Sequence, residues 1–457
     1  MGDSEESEEL ALAISADRSG TGPATWGQKA IWDAVSALGD EAPRYNVSVG
    51  FPLGPLYPRQ AVLDALTHAA RQHEGLRTRL RPSPDGELEQ ILDASGTIPV
   101  LIRRCASEET ARVGGELIQE MAGRAFDCAV DWPIRVGLVE SEGLVRHYTM
   151  VLSHTTADGG GLRRLARDVL MLLEGTGPEQ LSKLYPATQP LDEAAYQNSD
   201  RGRRRDAASR RHWRTKLTEG PRRMFAPRTE RDPDAPYPYV VLSSPALVRS
   251  VDHVAAVRQA SASSVLLAAA TREISRLSGS PEVQFQVVVN NRFLPGMAQT
   301  ITTLAQEGMF HLRSVDEDFP ELLRRTYAGA LSAYRHASYD KRLLDRDIER
   351  LRAELPELAD HSCFLNDTRE PELFRSAAPD AELLPLERAR EQSALVWHED
   401  VPPRRNQTLA LDVVDAPGAV ELVMVADSSF IPRADMESFL LGIEETIVLD
   451  ALATGCV

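Results

Sequence analysis

The order of apolar and polar residues along the chain alternates between a period near 3.6 and a period of two. WGQKAIWDAVSAL places Trp26, Ala30, Val35 and Leu38 at helical spacing, and YNVSVGFPL after it reads as a strand. Residues 59–74 return to helical periodicity through Val62, Leu66 and Ala69. Gly75 ends that helix, and LRTRL resumes as a short strand. Further strands are expected at 88–92 and 99–103. SEETARVGGELIQEMAGRAFD reads as a helix, with Ser107 opening a capping box and Glu108 and Glu109 suited to its first turn.

Two runs then follow, PIRVGLVE and LVRHYTMVLSH, joined by Ser141-Glu142-Gly143. Short apolar runs around a glycine-containing turn predict a hairpin. In the second run, alternation puts Tyr148, Met150, Leu152 and His154 on one face. GLRRLARDVLMLLEG is an amphipathic helix with Leu162, Leu165, Val169 and Leu172 turned inward and Gly175 as its stop. His154 therefore ends a strand, and Asp158 stands just before a helix.

The stretch 176–240 is rich in Pro, Arg and Gln and reads as a connection. Beyond it the pattern predicts two helices over 250–279, a strand in PEVQFQVVVNNRF, and two more helices over 319–355. LALDVVDAPGAVELVMVAD reads as a hairpin, and RADMESFLLGIEETIVLDALA as a closing helix. Helices and strands mix without a strict βαβ rhythm or a dinucleotide glycine fingerprint, so the class is α+β.

Length changes this picture by dividing it. At 457 residues and 42% hydrophobic content, the chain is too long for one ordinary layer pair, and two lobes are expected. The acidic start, residues 1–22, reads as a disordered tail. A net charge of −17 argues against nucleic acid as a partner. No apolar run reaches the roughly 20 residues of a membrane span. Four separated cysteines suggest neither a disulfide framework nor a zinc site, which fits a reducing cytoplasm. The charge is uneven, however: residues 201–223 hold an arginine-rich block, including Arg203, Arg204, Arg205, Arg210 and Arg211. It reads either as a solvated helix face or crossing linker, or as a dock for an acidic partner.

The candidate chemistry lies in MVLSHTTADGGG, residues 150–161. Asp158 has the type and place of a helix N-cap. His154 admits three readings: a core residue, a metal ligand or a general base. The metal reading lacks a neighbouring cluster to supply further ligands. The catalytic reading rests on an imidazole whose ordinary pKa lies near neutrality. Asp158 would then pair with an arginine and hold the backbone, while the following glycines let N–H groups approach a developing oxyanion.

SHTTADGG resembles the active-site motif of nonribosomal-peptide condensation domains, usually His-His-x-x-x-Asp-Gly. Four further segments are similar to the same family, in its order. They are ATWGQKAIW (24–32), RQHEGLRTRL (71–80), QPLDEAAYQNSDRGRRRDAASRRHWRTKL (189–217), and VVVNNRFLPG with TLAQEGMF (287–310). The resemblance implies two chloramphenicol-acetyltransferase-like lobes in a V-shaped pseudo-dimer with an active-site tunnel between them. It places the N-terminal lobe at 23–185, the connection at 186–240 and the C-terminal lobe at 241–457.

Carried over by position, His154 matches the catalytic histidine and Asp158 the structural aspartate. Gly159 matches the glycine whose N–H faces the substrate, and Arg292 the arginine that pairs with the aspartate. Phe293 and Asn366 match tunnel residues. Ser153 departs from the pattern, standing where the first histidine usually is. The resemblance implies amide formation between an acyl thioester, carried on the phosphopantetheine of a carrier protein, and an amine that is free or carrier-bound. No metal or bound cofactor is implied, and a monomer working in trans is expected, with the arginine block as a carrier dock. Two other readings stand beside it. One is an ester-forming or CoA-dependent acyltransferase, although the Asp-Phe-Gly-Trp-Gly motif of the plant-type enzymes is missing. The other is a recruitment module that kept the fold and lost the reaction.

Overall fold

A computed structural model describes residues 6–228, 230–313, 315, 318–369, 385–398 and 406–456. The chain divides into two compact units. The first contains the chain up to Asp206 together with Asn290–Ala305 and Tyr339–Asp345. The second contains Ala207–Val289, Gln306–Ser338 and the chain from Arg346 onward.

The first unit is built on a five-stranded sheet in the order β1-β6-β7-β8-β3. Its strands are β1 (Glu6–Ser15), β3 (Val47–Tyr57), β6 (Ser95–Arg104), β7 (Ile134–Ser141) and β8 (Leu144–Leu152). Only β6 and β7 run parallel. β7 and β8 form the expected hairpin, with Glu142 and Gly143 both at positive φ, as a two-residue turn between twisted strands requires. A small second sheet joins β2 (Gly20–Pro23), β5 (Leu88–Leu92) and β4 (Thr78–Pro82).

From His147 onward β8 is buried on both faces. Tyr148, Met150 and Leu152 pack with Val62 and Leu66 of α2 (Arg59–Gln72) and with Leu162, Leu165 and Val169 of α4 (Gly159–Leu173). On the other face, Val151 meets Val113, Leu117 and Met121 of α3 (Thr110–Ala122). The strand that leads to His154 is thus clamped between helices, at ~2 kcal/mol for each large side chain buried. α1 (Trp26–Leu38) precedes β3. It carries a capping box made by Thr25 and Gln28. The box expected at Ser107 is not formed: Ser107 lies in a 3-10 turn, its hydroxyl turned to Ser141, and α3 has no side-chain cap.

The second unit holds a seven-stranded mixed sheet in the order β11-β10-β12-β14-β15-β9-β13. Its strands are β9 (Tyr239–Ser244), β10 (Val283–Val289), β11 (Gln306–Leu312), β12 (Cys363–Asp367), β13 (Ala394–His398), β14 (Leu409–Ala416) and β15 (Ala419–Ala426). Its helices include α8 (Pro245–Arg258), α9 (Ala262–Ser278), α10 (Phe319–Arg335), α12 (Leu386–Glu391) and α13 (Arg433–Ala453), which share one large apolar core with the sheet. α11 (Lys341–Glu354) starts in the first unit and continues into the second. No single described helix is long and apolar enough to cross a membrane.

Three sequence expectations change. Residues 1–5 of the expected tail lie outside the described residues, but 6–23 form β1 and β2 rather than a disordered tail. Leu10, Leu12 and Ile14 alternate inward against the core, and Glu8 is answered by Arg59 and Arg104, so the acidic character does not oppose folding. The connection at 186–240 is largely helical, through α6 (Pro190–Gln197) and α7 (Asp200–Glu219), and its last residues enter β9. The C-terminal region is not one contiguous lobe, because 290–305 and 339–345 pack with the first unit. The latter is fixed there by Lys29 to Asp340 and by a two-pronged Arg342–Asp33 pair at 2.7 Å.

The arginine block lies on α7. Arg203 is paired with Asp200 on the same helix, and Arg210 with Asp347. Arg205 is half-buried, whereas Arg204 and Arg211 are exposed. The helix is anchored less by an apolar stripe than by Trp213, Leu217 and polar bonds such as Ser209 to the Ser338 carbonyl at 2.9 Å.

Candidate active site

β8 stops at Leu152, and the Ser153 N–H continues its hydrogen bonding to the Pro133 carbonyl for one more residue. A tight turn follows, closed by Thr156 N–H on the Ser153 carbonyl at 2.9 Å, and α4 starts at Gly159. His154 sits in this turn, just past the strand and half-buried. Thr303 donates its hydroxyl to the His154 carbonyl, so the main chain behind the imidazole is held from a segment far along the sequence. The ring Nδ1 is buried without a hydrogen-bond partner, which leaves Nε2 as the nitrogen for chemistry. Burial holds the imidazole pKa below its ordinary value, against the opposing pull of its own main chain and of Asp158. It is therefore neutral at neutral pH, as a proton acceptor must be.

Asp158 is buried and caps α4, its Oδ1 accepting the Gly161 N–H at 2.8 Å. Its other oxygen accepts the N–H groups of Leu304 at 2.9 Å and Ala305 at 3.0 Å. Arg292, also buried, pairs with Oδ1 and donates to the carbonyls of Thr300 at 2.6 Å and Thr302 at 3.2 Å. Burial alone would push the Asp158 carboxyl up. The Arg292 charge and the N–H donors of Gly161 and Leu304 outweigh it and hold the carboxyl below the usual range. Both carboxylate oxygens are thus committed to protein donors. Because Asp158 takes the Gly161 N–H, the N–H groups of Gly159 and Gly160 remain as free donors of the first helical turn. Gly159 is the more open of the two.

The Arg292 side chain passes so close to α4 that a Cβ on Gly160 would lie 2.5 Å from its Nε. Gly160→Ala is therefore expected to displace the guanidinium and lower stability by about 1–3 kcal/mol. Denaturant unfolding checks this, and an unchanged midpoint would remove the close approach from the account. Gly27 of α1 is required for a similar reason, since its Cα lies against the Thr303 carbonyl.

Ser153 is buried. Its hydroxyl is 2.8 Å from the Thr155 hydroxyl and 3.7 Å from the Cys128 thiol, so a small polar cluster occupies the place of the usual first histidine. His73, within RQHEGLRTRL, shares a buried hydrogen bond of 2.9 Å with Asp168 and so ties the end of α2 to α4. Phe293 is 58% exposed. Asn366, expected to line a tunnel, belongs to the second unit and gives its amide to Asp412 on the adjacent strand at 2.8 Å. The structure thus brings His154, Asp158, Gly159, Ser153 and Arg292 together within the first unit.

Comparison with known proteins agrees with the family resemblance. Residues 19–394 match the sequence profile of the Condensation domain family. The chain belongs to the condensation-domain family. Isonitrile lipopeptide synthase of Mycobacterium tuberculosis is 26% identical over 345 residues, 70% of this chain but 13% of that protein. This condensation domain spans only a small part of that curated relative. The solved condensation domain of the Monacolin K polyketide synthase MokA has the same fold, with a TM-score of 0.71 at 16% identity, covering 95% of this chain and 98% of that one. A condensation domain of the enacyloxin polyketide synthase, which mediates chain release, superposes with a TM-score of 0.68 at 18% identity, covering 91% of this chain and 79% of that one. Condensation domains are acyltransferase-type enzymes that form amide bonds in natural-product biosynthesis.

Tyr45, Thr303, Gly27 and Cys128 had no role in the sequence reading. Gly27 and Thr303 lie inside the segments that carry the family resemblance, so a signal was present without a geometry to interpret it. Tyr45 and Cys128 carried no local signal.

Proposed function

We propose that this domain transfers an acyl group from the phosphopantetheine thioester of a carrier protein to an amine. The observation that carries the proposal is the half-buried imidazole of His154 in the turn that leads into α4, whose first residue is Gly159. His154 Nε2 takes a proton from the amine as its nitrogen attacks the thioester carbon. The Gly159 N–H faces the oxygen on which charge develops. The C–S bond then breaks, the C–N bond stays, and the leaving thiolate takes the proton held on His154 Nε2, which restores the neutral imidazole. Asp158 and Arg292 touch neither reactant; they fix the turn and the helix start that hold His154 and Gly159 in register. Orientation of two bound reactants supplies much of the acceleration.

The test is intact-mass analysis of a panel of acyl-loaded carrier proteins, incubated with the domain and amine acceptors. Loss of the acyl mass from a carrier with formation of the amide is the expected result. Retention of the acyl group on every carrier, together with measurable carrier binding, would replace this reading by the recruitment module. The Ser153–Thr155–Cys128 cluster favours keeping that second reading in the same experiment. An ester product with hydroxyl acceptors, or transfer from an acyl-CoA, would move the domain to the corresponding acyltransferase class. Docking of the carrier on the exposed arginines of α7, Arg204 and Arg211, is read from the same binding measurement through its salt dependence.

A further inference from the structure

We propose that Tyr45 is a positioning residue for His154, its ring closing one side of the imidazole against water. The sheet register argues this directly. β3 and β8 pair antiparallel, with Val47 opposite Leu152. Continuing the same register two residues past the end of the ladder sets Tyr45 opposite His154. Both residues lie just outside the ladder, Tyr45 at the end of a 3-10 turn and His154 in the turn after β8, so the last pair brings their chain segments side by side. The rings do meet there, with centroids 6.0 Å apart and planes tilted by 41°. That separation lies in the range in which aromatic pairs gain energy beyond simple burial.

The segment that presents Tyr45 is built to stay in place. It leaves α1 through a 3-10 turn, Gly39–Tyr45, that contains Pro43, and the Asn46 N–H closes it on the Pro43 carbonyl at 3.0 Å. The Asn46 amide then donates to the carbonyls of Ala122 at 2.9 Å and Arg124 at 3.0 Å, beyond the sheet edge at the end of α3. β8 is held on its other side by the Ser153–Pro133 hydrogen bond. His154 is therefore flanked by Tyr45 on the β3 side and by the buried Asp158–Arg292 pair at the helix start. Burial holds the imidazole toward its neutral form and outweighs the pull of Asp158 toward the charged one. Tyr45 is the flanking group that bears no charge and excludes solvent, which is what keeps an imidazole neutral near its working pH.

This inference rests on the reading of His154 as a neutral base, but its test does not need turnover. The His154 imidazole C–H resonance, identified by its loss in His154→Ala, is titrated by NMR in the intact domain and in Tyr45→Ala, Tyr45→Leu and Tyr45→Phe. In the native domain the midpoint is expected below the ordinary imidazole value of about 6.5. Tyr45→Ala is expected to move it up toward that value, Tyr45→Leu to move it only part of the way, and Tyr45→Phe to leave it in place. Where acyl transfer is measurable, the acid limb of kcat/KM should move with the resonance, while KM for the carrier stays unchanged. An unmoved midpoint in a folded Tyr45→Ala domain overturns the proposal, as does an equal shift in Tyr45→Phe. A moved resonance with no acyl transfer would sustain the role of Tyr45 and sink the proposed reaction instead.

Discussion

Arg292→Ala is expected to destabilise the domain by about 3–5 kcal/mol, measured as denaturant unfolding of the native and variant chains. The reason is what the substitution leaves behind. Arg292 and Asp158 are both buried, and the pair is joined to the carbonyls of Thr300 and Thr302 and to the N–H groups of Gly161, Leu304 and Ala305. Without the guanidinium, the two carbonyls lose a donor and the carboxylate loses its compensating charge. Asp158 would then follow its burial, and its pKa would rise. The sign for pH follows. A carboxyl held below its unfolded pKa contributes stability that is complete above the unfolded value of about 3.9 and is lost as pH falls through the folded one. In Arg292→Ala that contribution shrinks or reverses, so the deficit is largest near neutral pH and narrows toward acid. Removing both charges, as in Asp158→Asn with Arg292→Leu, is expected to cost less than Arg292→Ala alone. A double variant at least as unstable as the sum of the single ones would show that the charge pairing is not the cause.

How much of this site was readable beforehand depends on how each residue is held. Asp158 could be placed as a helix cap from its local context, because capping is decided within one turn. The position of His154 at a strand end followed from alternation in LVRHYTMVLSH, because a side-chain period of two is local as well. Arg292 lies 134 residues from Asp158, and no periodicity reaches that far; only the order of family-like segments pointed to it. The same distance explains the misplaced lobe boundary. Residues 290–305 join the first unit through buried carbonyl and N–H groups that no hydrophobic pattern records. β1 carried an alternating signal in Leu10, Leu12 and Ile14, but the glutamates around it dominated the composition, and the arginines that answer Glu8 are distant in sequence. In α7, arginines crowd out an apolar stripe, so its pattern alone reads as a connection. Tyr45 stands opposite His154 only through strand register, which sequence spacing does not reveal.

His154→Ala is expected to lower kcat for acyl transfer by about 10²–10⁴-fold, the usual range for a lost general base, with little change in KM for the carrier. His154 is half-buried and donates no hydrogen bond from its buried Nδ1, so removing the ring leaves the Asp158–Arg292 pair and the fold in place. The residual rate measures what orientation and the Gly159 N–H supply without the base. The pH profile separates this role from a structural one. In the native domain the rate falls as pH drops through an imidazole pKa below about 6.5, because protonation removes the acceptor lone pair. Above that value the rate is level until another group titrates. His154→Ala should abolish the acid limb along with the rate, and the remaining activity should be flat across the same interval. His154→Asn, which keeps a polar group of similar reach but accepts no proton in this range, should behave like the alanine variant. Turnover of the loaded carrier at the native rate by either variant would mean that the amine loses its proton without this imidazole. His154 would then be a wall of the site rather than its base, and the catalytic reading of the turn between β8 and α4 would fall with it.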